Sequence, residues 1–216
     1  GKRIDVVEGT ARIGDGDVAL TGHLLLSGSG PDVDLALRAK RVPIEYPVGW
    51  RTQSSGELRL TGRSGAYRLA GEVVVHRAFS ELEELRPAPG LDRVSAALAA
   101  FEGRGSLRDR TDLDVSVRLE DGLRVASSQI NLVVDGAVRV AAAGLTPEVS
   151  GSLAFREGST ARVSGALVRL ESGRIELAGY PARQPELEVR AATQVSGVGV
   201  SLTQTGPLDD ARMNLS

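Results

Sequence analysis

The stretch NLVVDGAVRVAAAGLTPEVSGSLAF (Asn131–Phe155) twice places a glycine at the centre of one small pattern: apolar, any, Gly, any, apolar. These two copies are Val134-Asp135-Gly136-Ala137-Val138 and Val149-Ser150-Gly151-Ser152-Leu153. Three further copies lie at Leu20–Leu24, Leu69–Val73 and Val163–Leu167, centred on Gly22, Gly71 and Gly165. Strand side chains alternate faces with a period of two, so each glycine shares a face with its apolar neighbours. A glycine inside a strand marks a bend, a bulge or a close backbone approach. Five of them on the apolar side predict strands that fold sharply over that side. A stack of such strands is an all-β, elongated, curved antiparallel sheet around an apolar interior groove.

Alternation extends outward from this stretch in both directions. Leu20 and Leu24, Leu35, Leu60, then Leu69 and Val73 fall on one side of their strands, against polar partners such as Asp34, Arg68, Glu72 and His76. Val115 and Val117 repeat the pattern, followed by Leu132, Val134 and Val138, Val149, Leu153 and Phe155, Val163 and Leu167, and finally Leu187 and Val189. Turn chemistry punctuates the runs at Gly14-Asp15-Gly16, Ser29-Gly30-Pro31, Ser64-Gly65, Asp121-Gly122, Glu157-Gly158, Ser172-Gly173 and Gly206-Pro207. The spacing predicts about fifteen strands joined as an antiparallel meander.

Two segments break the alternation. Between Phe79 and Phe101 an acidic run and Pro87-Ala88-Pro89-Gly90 precede Leu91, Val94, Leu98 and Phe101 at helical spacing. This predicts a helical insertion or cap near residues 79–101. The run Val42–Trp50 carries Pro43 and Pro47 and predicts a loop crossing the sheet rim.

Composition narrows the class of function. The 216 residues contain 26 Gly, no Cys, and only 3 % aromatics, with a net charge of −2. A neutral balance offers no electrostatic field for nucleic acid. Without cysteine there is no disulfide framework and no thiolate chemistry. The chain opens on Gly1, which reads as a single β-rich piece, 1–216, of a longer protein.

Chemistry-bearing motifs are scarce. His23 and His76 are the only histidines, and both read as mid-strand residues on a polar face. No metal-binding His or Cys spacing, P-loop or dinucleotide fingerprint is present. Gly14-Asp15-Gly16-Asp17 lacks the ligand spacing of a calcium loop. The expectation is a protein without catalytic residues, metal or cofactor. The apolar side remains, either as the sealed core of a β-sandwich or as an open trough.

The segments Ser55–Ala78, Leu123–Gly179 and Pro185–Ser216 resemble the TamB family, the inner-membrane component of the translocation and assembly module. The run from Ala143-Gly144-Leu145-Thr146-Pro147 through Gly151, Gly158, Gly165 and Gly173 to Gly206-Pro207 carries most of the resemblance. The resemblance implies a U-shaped sheet, or β-taco, in the periplasm of a Gram-negative bacterium, with the parent protein anchored in the inner membrane through segments outside this chain. It implies a TamA-like outer-membrane barrel protein as partner, and phospholipid acyl chains as groove contents. Two functions are expected from it: a lipid conduit between the membranes, or an outer-membrane protein assembly module that pairs edge strands. A third reading, a closed structural stalk, predicts a sealed core.

Overall fold

The computed structural model describes residues 2–27, 30–45, 50–63, 66–81, 111–142, 147–163, 166–195, 198–207 and 212–215. These residues form β1 (Lys2–Ile13), β2 (Gly16–Ser27), β3 (Gly30–Ile44), β4 (Trp50–Arg63), β5 (Ala66–Glu81), β6 (Thr111–Ala126), β7 (Ile130–Ala142), β8 (Pro147–Phe155), β9 (Thr160–Val163), β10 (Ala166–Tyr180), β11 (Glu186–Val195), β12 (Val198–Pro207) and β13 (Arg212–Leu215). All belong to one large, mostly antiparallel curved sheet, ordered β1-β2-β3-β4-β5-β6-β7-β8-β10-β11-β12-β13. The short β9 pairs with β10 and with β7, so it continues the line of β8 after a break.

No helix occurs among the described residues. The helix expected near 79–101 is not borne out: Phe79–Glu81 belong to β5, and residues 82–101 lie outside the described set. Phe79 is held as strand because it has a ladder partner on each side, Arg51 of β4 and Arg124 of β6.

The expected meander fails at one place. β5 and β6 run parallel, from Tyr67 opposite Thr111 to Glu81 opposite Ala126. Parallel neighbours need a crossover of a dozen residues or more, and residues 82–110 separate these two in sequence. Alternation looks the same in parallel and antiparallel pairs, so periodicity cannot report direction.

Among the described residues the strands are also fewer and longer than expected, because several anticipated turns are interruptions inside strands. Asp121-Gly122 falls within β6, where register with β7 slips between Leu119 and Leu123. Ser172-Gly173 falls within β10, at a slip between Leu170 and Ser172. A bulge adds an unpaired residue without ending the strand, and glycine serves it as well as it serves a turn. Gly206-Pro207 likewise closes β12 in ladder with β11. The Val42–Trp50 loop is shorter than expected: Val42, Pro43 and Ile44 pair with Ser54, Gln53 and Thr52. Pro43 is tolerated because β2 pairs with β3 only as far as Lys40, which leaves that side of the strand without a ladder.

The break between β8 and β9 is bridged by the Arg156 N–H, which donates to the Val133 carbonyl at 2.7 Å, and by the side chain of Ser159. Ser159 is fully buried. Its Oγ accepts from the Val133 N–H at 3.0 Å and donates to the Val133 carbonyl at 3.4 Å. Its own backbone carbonyl accepts from Leu170 N–H at 3.0 Å. Backbone groups stranded by the irregularity thus keep partners.

Candidate functional site

Ladder partners lie on the same face of a sheet, so register assigns every paired side chain to a side. One row across the sheet reads Leu20, Leu37, Leu58, Gly71, Val115, Val140, Val149. The next reads Val18, Ala39, Gly56, Val73, Val117, Val138, Gly151, Leu177. None of these residues is charged or polar. The buried hydrophobic residues belong to this face: Val42, Tyr67, Ala78, Val115, Val134, Val149, Val168, Leu170, Leu177 and Ala191.

Four of the pattern glycines sit on this face with positive φ: Gly22 at 132°, Gly71 at 151°, Gly136 at 136° and Gly151 at 137°. A β-carbon on Gly136 would run into the Ser152 carbonyl, and one on Gly151 into the Ala137 carbonyl. Only glycine allows this backbone and this approach. Gly165 lies outside the described residues.

The residues expected to line the groove fall on this face, with one exception. Leu60 stands between Leu35 and Leu69, Val117 between Val73 and Val138, and Leu24 opposite Val33. Leu132 faces Val125, Val134 faces Phe155, and Leu153 faces Ile175. Leu187 pairs with Ile175, Val189 with Gly173, and Val163 with Ala166. Leu167 is the correction. It pairs with Arg162 and is 61 % exposed, while its neighbour Val168 is 3 % exposed. Val163 and Ala166 are a closing pair across a two-residue connection, so face parity inverts between β9 and β10. Read as one strand, the sequence puts Leu167 on the wrong side. Val168, Leu170, Leu177 and Ala191 are the buried residues of this region that the expected lining omitted.

The opposite face is a lattice of ion pairs. Arg59 grips Asp34 with two hydrogen bonds of 2.9 and 2.8 Å, and Arg38 meets Glu57 at 3.0 Å. Asp114 on β6 accepts from Arg139 on β7 at 2.7 Å and from Arg68 on β5 at 2.8 Å. Arg156 pairs with Asp135. The Arg59 hydrogen bond holds the Asp34 carboxyl below its usual range, and the Arg139 hydrogen bond does the same for Asp114. Each exposed pair is worth little alone.

A further cluster on the charged face has no motif behind it. Ser55, His76 and Glu120 come from three neighbouring strands, with Ser55 Oγ 2.7 Å from His76 Nε2 and His76 Nδ1 2.5 Å from Glu120 Oε2. His76, expected as an ordinary surface histidine, is part-buried and held at both ring nitrogens. His23, the other histidine, pairs in register with Asp5 and Asp34. Among the described residues no cluster of His, Cys, Asp and Glu has the makings of a metal site.

The described residues thus define an all-β protein built on one curved, mostly antiparallel sheet with a charged face and an aliphatic face. The family model of the TamB C-terminal domain matches residues 9–216, and the chain belongs to that family. Membership places it with the translocation and assembly module of the Gram-negative envelope, whose TamB members work with TamA partners. No curated protein matches the chain.

Proposed function

We propose that the aliphatic face carries phospholipid acyl chains between the inner and outer membranes, as one section of a longer periplasmic conduit. The observation that supports this most is the run of uncharged apolar rows from β2 to β10, uninterrupted by any Asp, Glu, Lys or Arg. Each methylene that leaves a bilayer loses roughly 0.8 kcal/mol of burial, and a continuous aliphatic wall restores it. A face of Val, Leu, Ala and Gly offers no deep specific notch, so a chain can slide along it. The eight strands on the path from β2 to β10, at a spacing of roughly 4.8 Å, give about 35 Å of such surface. The transfer makes and breaks no covalent bond and needs no metal or cofactor.

Native mass spectrometry of the purified chain, with organic extraction of bound lipid, tests this reading. Wild type retains phospholipid. Leu132→Asp and Leu153→Asp lose it while the fold persists, and Ala137→Asp on the charged face keeps it. A folded wild type that carries no lipid and excludes a fluorescent acyl chain removes the conduit.

One observation favours the assembly reading. β1 is an edge strand with an exposed flank, its Val7 88 % and Ile4 42 % exposed. Such an edge accepts another strand by backbone pairing, from a client protein or from a TamA-like barrel. Proline substitutions along β1 that abolish barrel-protein assembly but leave lipid binding intact would favour it.

A further inference from the structure

The row Ser55–His76–Glu120 lies on the face opposite the acyl-chain surface and plays no part in the conduit. Its side chains come from β4, β5 and β6. With its proton on Nδ1, His76 donates to the Glu120 carboxylate and accepts from the Ser55 hydroxyl, at 2.5 and 2.7 Å. A serine hydroxyl on one imidazole nitrogen and a carboxylate on the other is the arrangement that makes serine a nucleophile on several unrelated folds.

The backbone around it is irregular in every layer. Register slips between Ala39 and Val42 on β3, Gln53 and Ser54 on β4, Val75 and Ala78 on β5, and Leu119 and Leu123 on β6. Aligned bulges break face parity and re-aim side chains, and they gather beside functional centres. Arg41, in the first of them, is a non-glycine residue with φ of 53°. Its N–H donates to Ser55 Oγ at 2.9 Å. Backbone held in this region costs energy and persists where its surroundings demand it. Beside Ser55 opens a cavity of about 1080 Å³, bordered also by Ala19, Arg38, Lys40, Glu57 and Val74.

We propose that Ser55 is an activated nucleophile, with His76 as its general base and Glu120 as the positioning residue, acting on polar carboxylic esters. The charged border of the cavity selects a water-soluble ester over a membrane lipid. Ser55 Oγ bonds to the ester carbonyl carbon as its proton passes to His76 Nε2. The carbonyl electron pair moves onto oxygen, where the Arg41 N–H, already aimed at Oγ, donates to it. Collapse of the tetrahedral species breaks the bond to the alcohol oxygen, which leaves with the proton from His76. Water then attacks the acyl-serine, gives its proton to the same nitrogen, and releases the carboxylic acid with Ser55 restored.

The test treats the purified chain with a fluorophosphonate probe and maps the adduct by peptide mass spectrometry. The expected result is one phosphonylated serine at Ser55, formed with loss of fluoride. Its formation slows about 100-fold in His76→Asn, the usual worth of a general base. Glu120→Gln, which leaves a neutral partner on Nδ1, shifts the pH profile of labelling, an effect a merely structural contact would not have. Hydrolysis of p-nitrophenyl acetate is lost in Ser55→Ala. The mapping on wild type stands even if Ser55→Ala misfolds for want of a partner to the Arg41 N–H. An unmodified Ser55, or labelling that is as fast in folded His76→Asn, overturns the proposal.

Discussion

Gly136 on β7 and Gly151 on β8 stand in reciprocal register, Gly136 opposite Leu153 and Gly151 opposite Val138. Each has φ near +137° and presses its α-carbon against the neighbouring strand's backbone, at the Ser152 and Ala137 carbonyls respectively. Each glycine makes room for the backbone of the strand across from it. Alanine at either position meets both the backbone conformation and the clash, so Gly136→Ala and Gly151→Ala each cost about 2–4 kcal/mol. Gly199→Ala has nothing within 4 Å and stays within about 0.5 kcal/mol. Urea unfolding of the three variants checks this, and equal costs would remove the steric argument.

Leu167 and Val168 test the face assignment one residue at a time. Leu167 is 61 % exposed and Val168 3 % exposed. Leu167→Asp is expected within about 0.5 kcal/mol of wild type. Val168→Asp buries an unpaired carboxylate and costs about 3 kcal/mol or more. The two midpoints in denaturant give the answer, and the reverse order would place the register one residue away.

Ser159→Ala removes the only side chain that partners both the N–H and the carbonyl of Val133 among the described residues. Leaving a buried donor unpaired costs about 1–3 kcal/mol. The local signature is faster amide exchange at Val133, with β1 to β4 unchanged. Uniform exchange along the chain would contradict the view of Ser159 as a local stitch.

Acid sensitivity follows from Asp34 and Asp114. Both carboxyls are held below the usual aspartate range, chiefly by hydrogen bonds from Arg59 and Arg139. A depressed folded-state value means that the unfolded chain takes up protons first as pH falls. The contribution is complete above the unfolded range, near pH 4, and is lost as pH drops through the lower folded values. Melting temperature should hold steady from pH 7 to about 5 and fall below about 4. Asp114→Asn flattens that fall, and 1 M salt does less to it than to a fully exposed pair. An Asp114→Asn profile parallel to wild type would refute the assignment.

Much of the sheet was readable in the residues, and the failures share one cause. Alternation reports which side chains share a face only while the strand runs unbroken. Between Leu20 and Phe155 the expected lining residues fall together because each run was read locally. Across Val163 and Ala166 the chain reverses, parity inverts, and Leu167 lands outside. Asp121-Gly122 and Ser172-Gly173 carry turn chemistry but act as bulges, because glycine supplies the same backbone freedom to both.

The Ser55–His76–Glu120 row had no sequence signal. Ser55 and His76 are separated by 21 positions and His76 and Glu120 by 44. They meet because β4, β5 and β6 are neighbours and because their bulges fall side by side. His76 is mid-strand on the polar face, as its local sequence implies; its hydrogen bonds to Ser55 and Glu120 are set by neighbouring strands.

The residues alone determined that this chain is all-β, that one side of its strands is aliphatic and the other charged, and that a glycine centres five apolar patterns, at Gly22, Gly71, Gly136, Gly151 and Gly165. These are local properties, set by a period of two and by the one side chain that tolerates positive φ. The tertiary structure alone decided that β5 runs parallel to β6, that Leu167 faces water, and that a serine, a histidine and a glutamate from three strands share one hydrogen-bonded row. Strand direction, register and the alignment of bulges depend on which backbone pairs with which, and pairing is a relation between distant segments that no single stretch encodes.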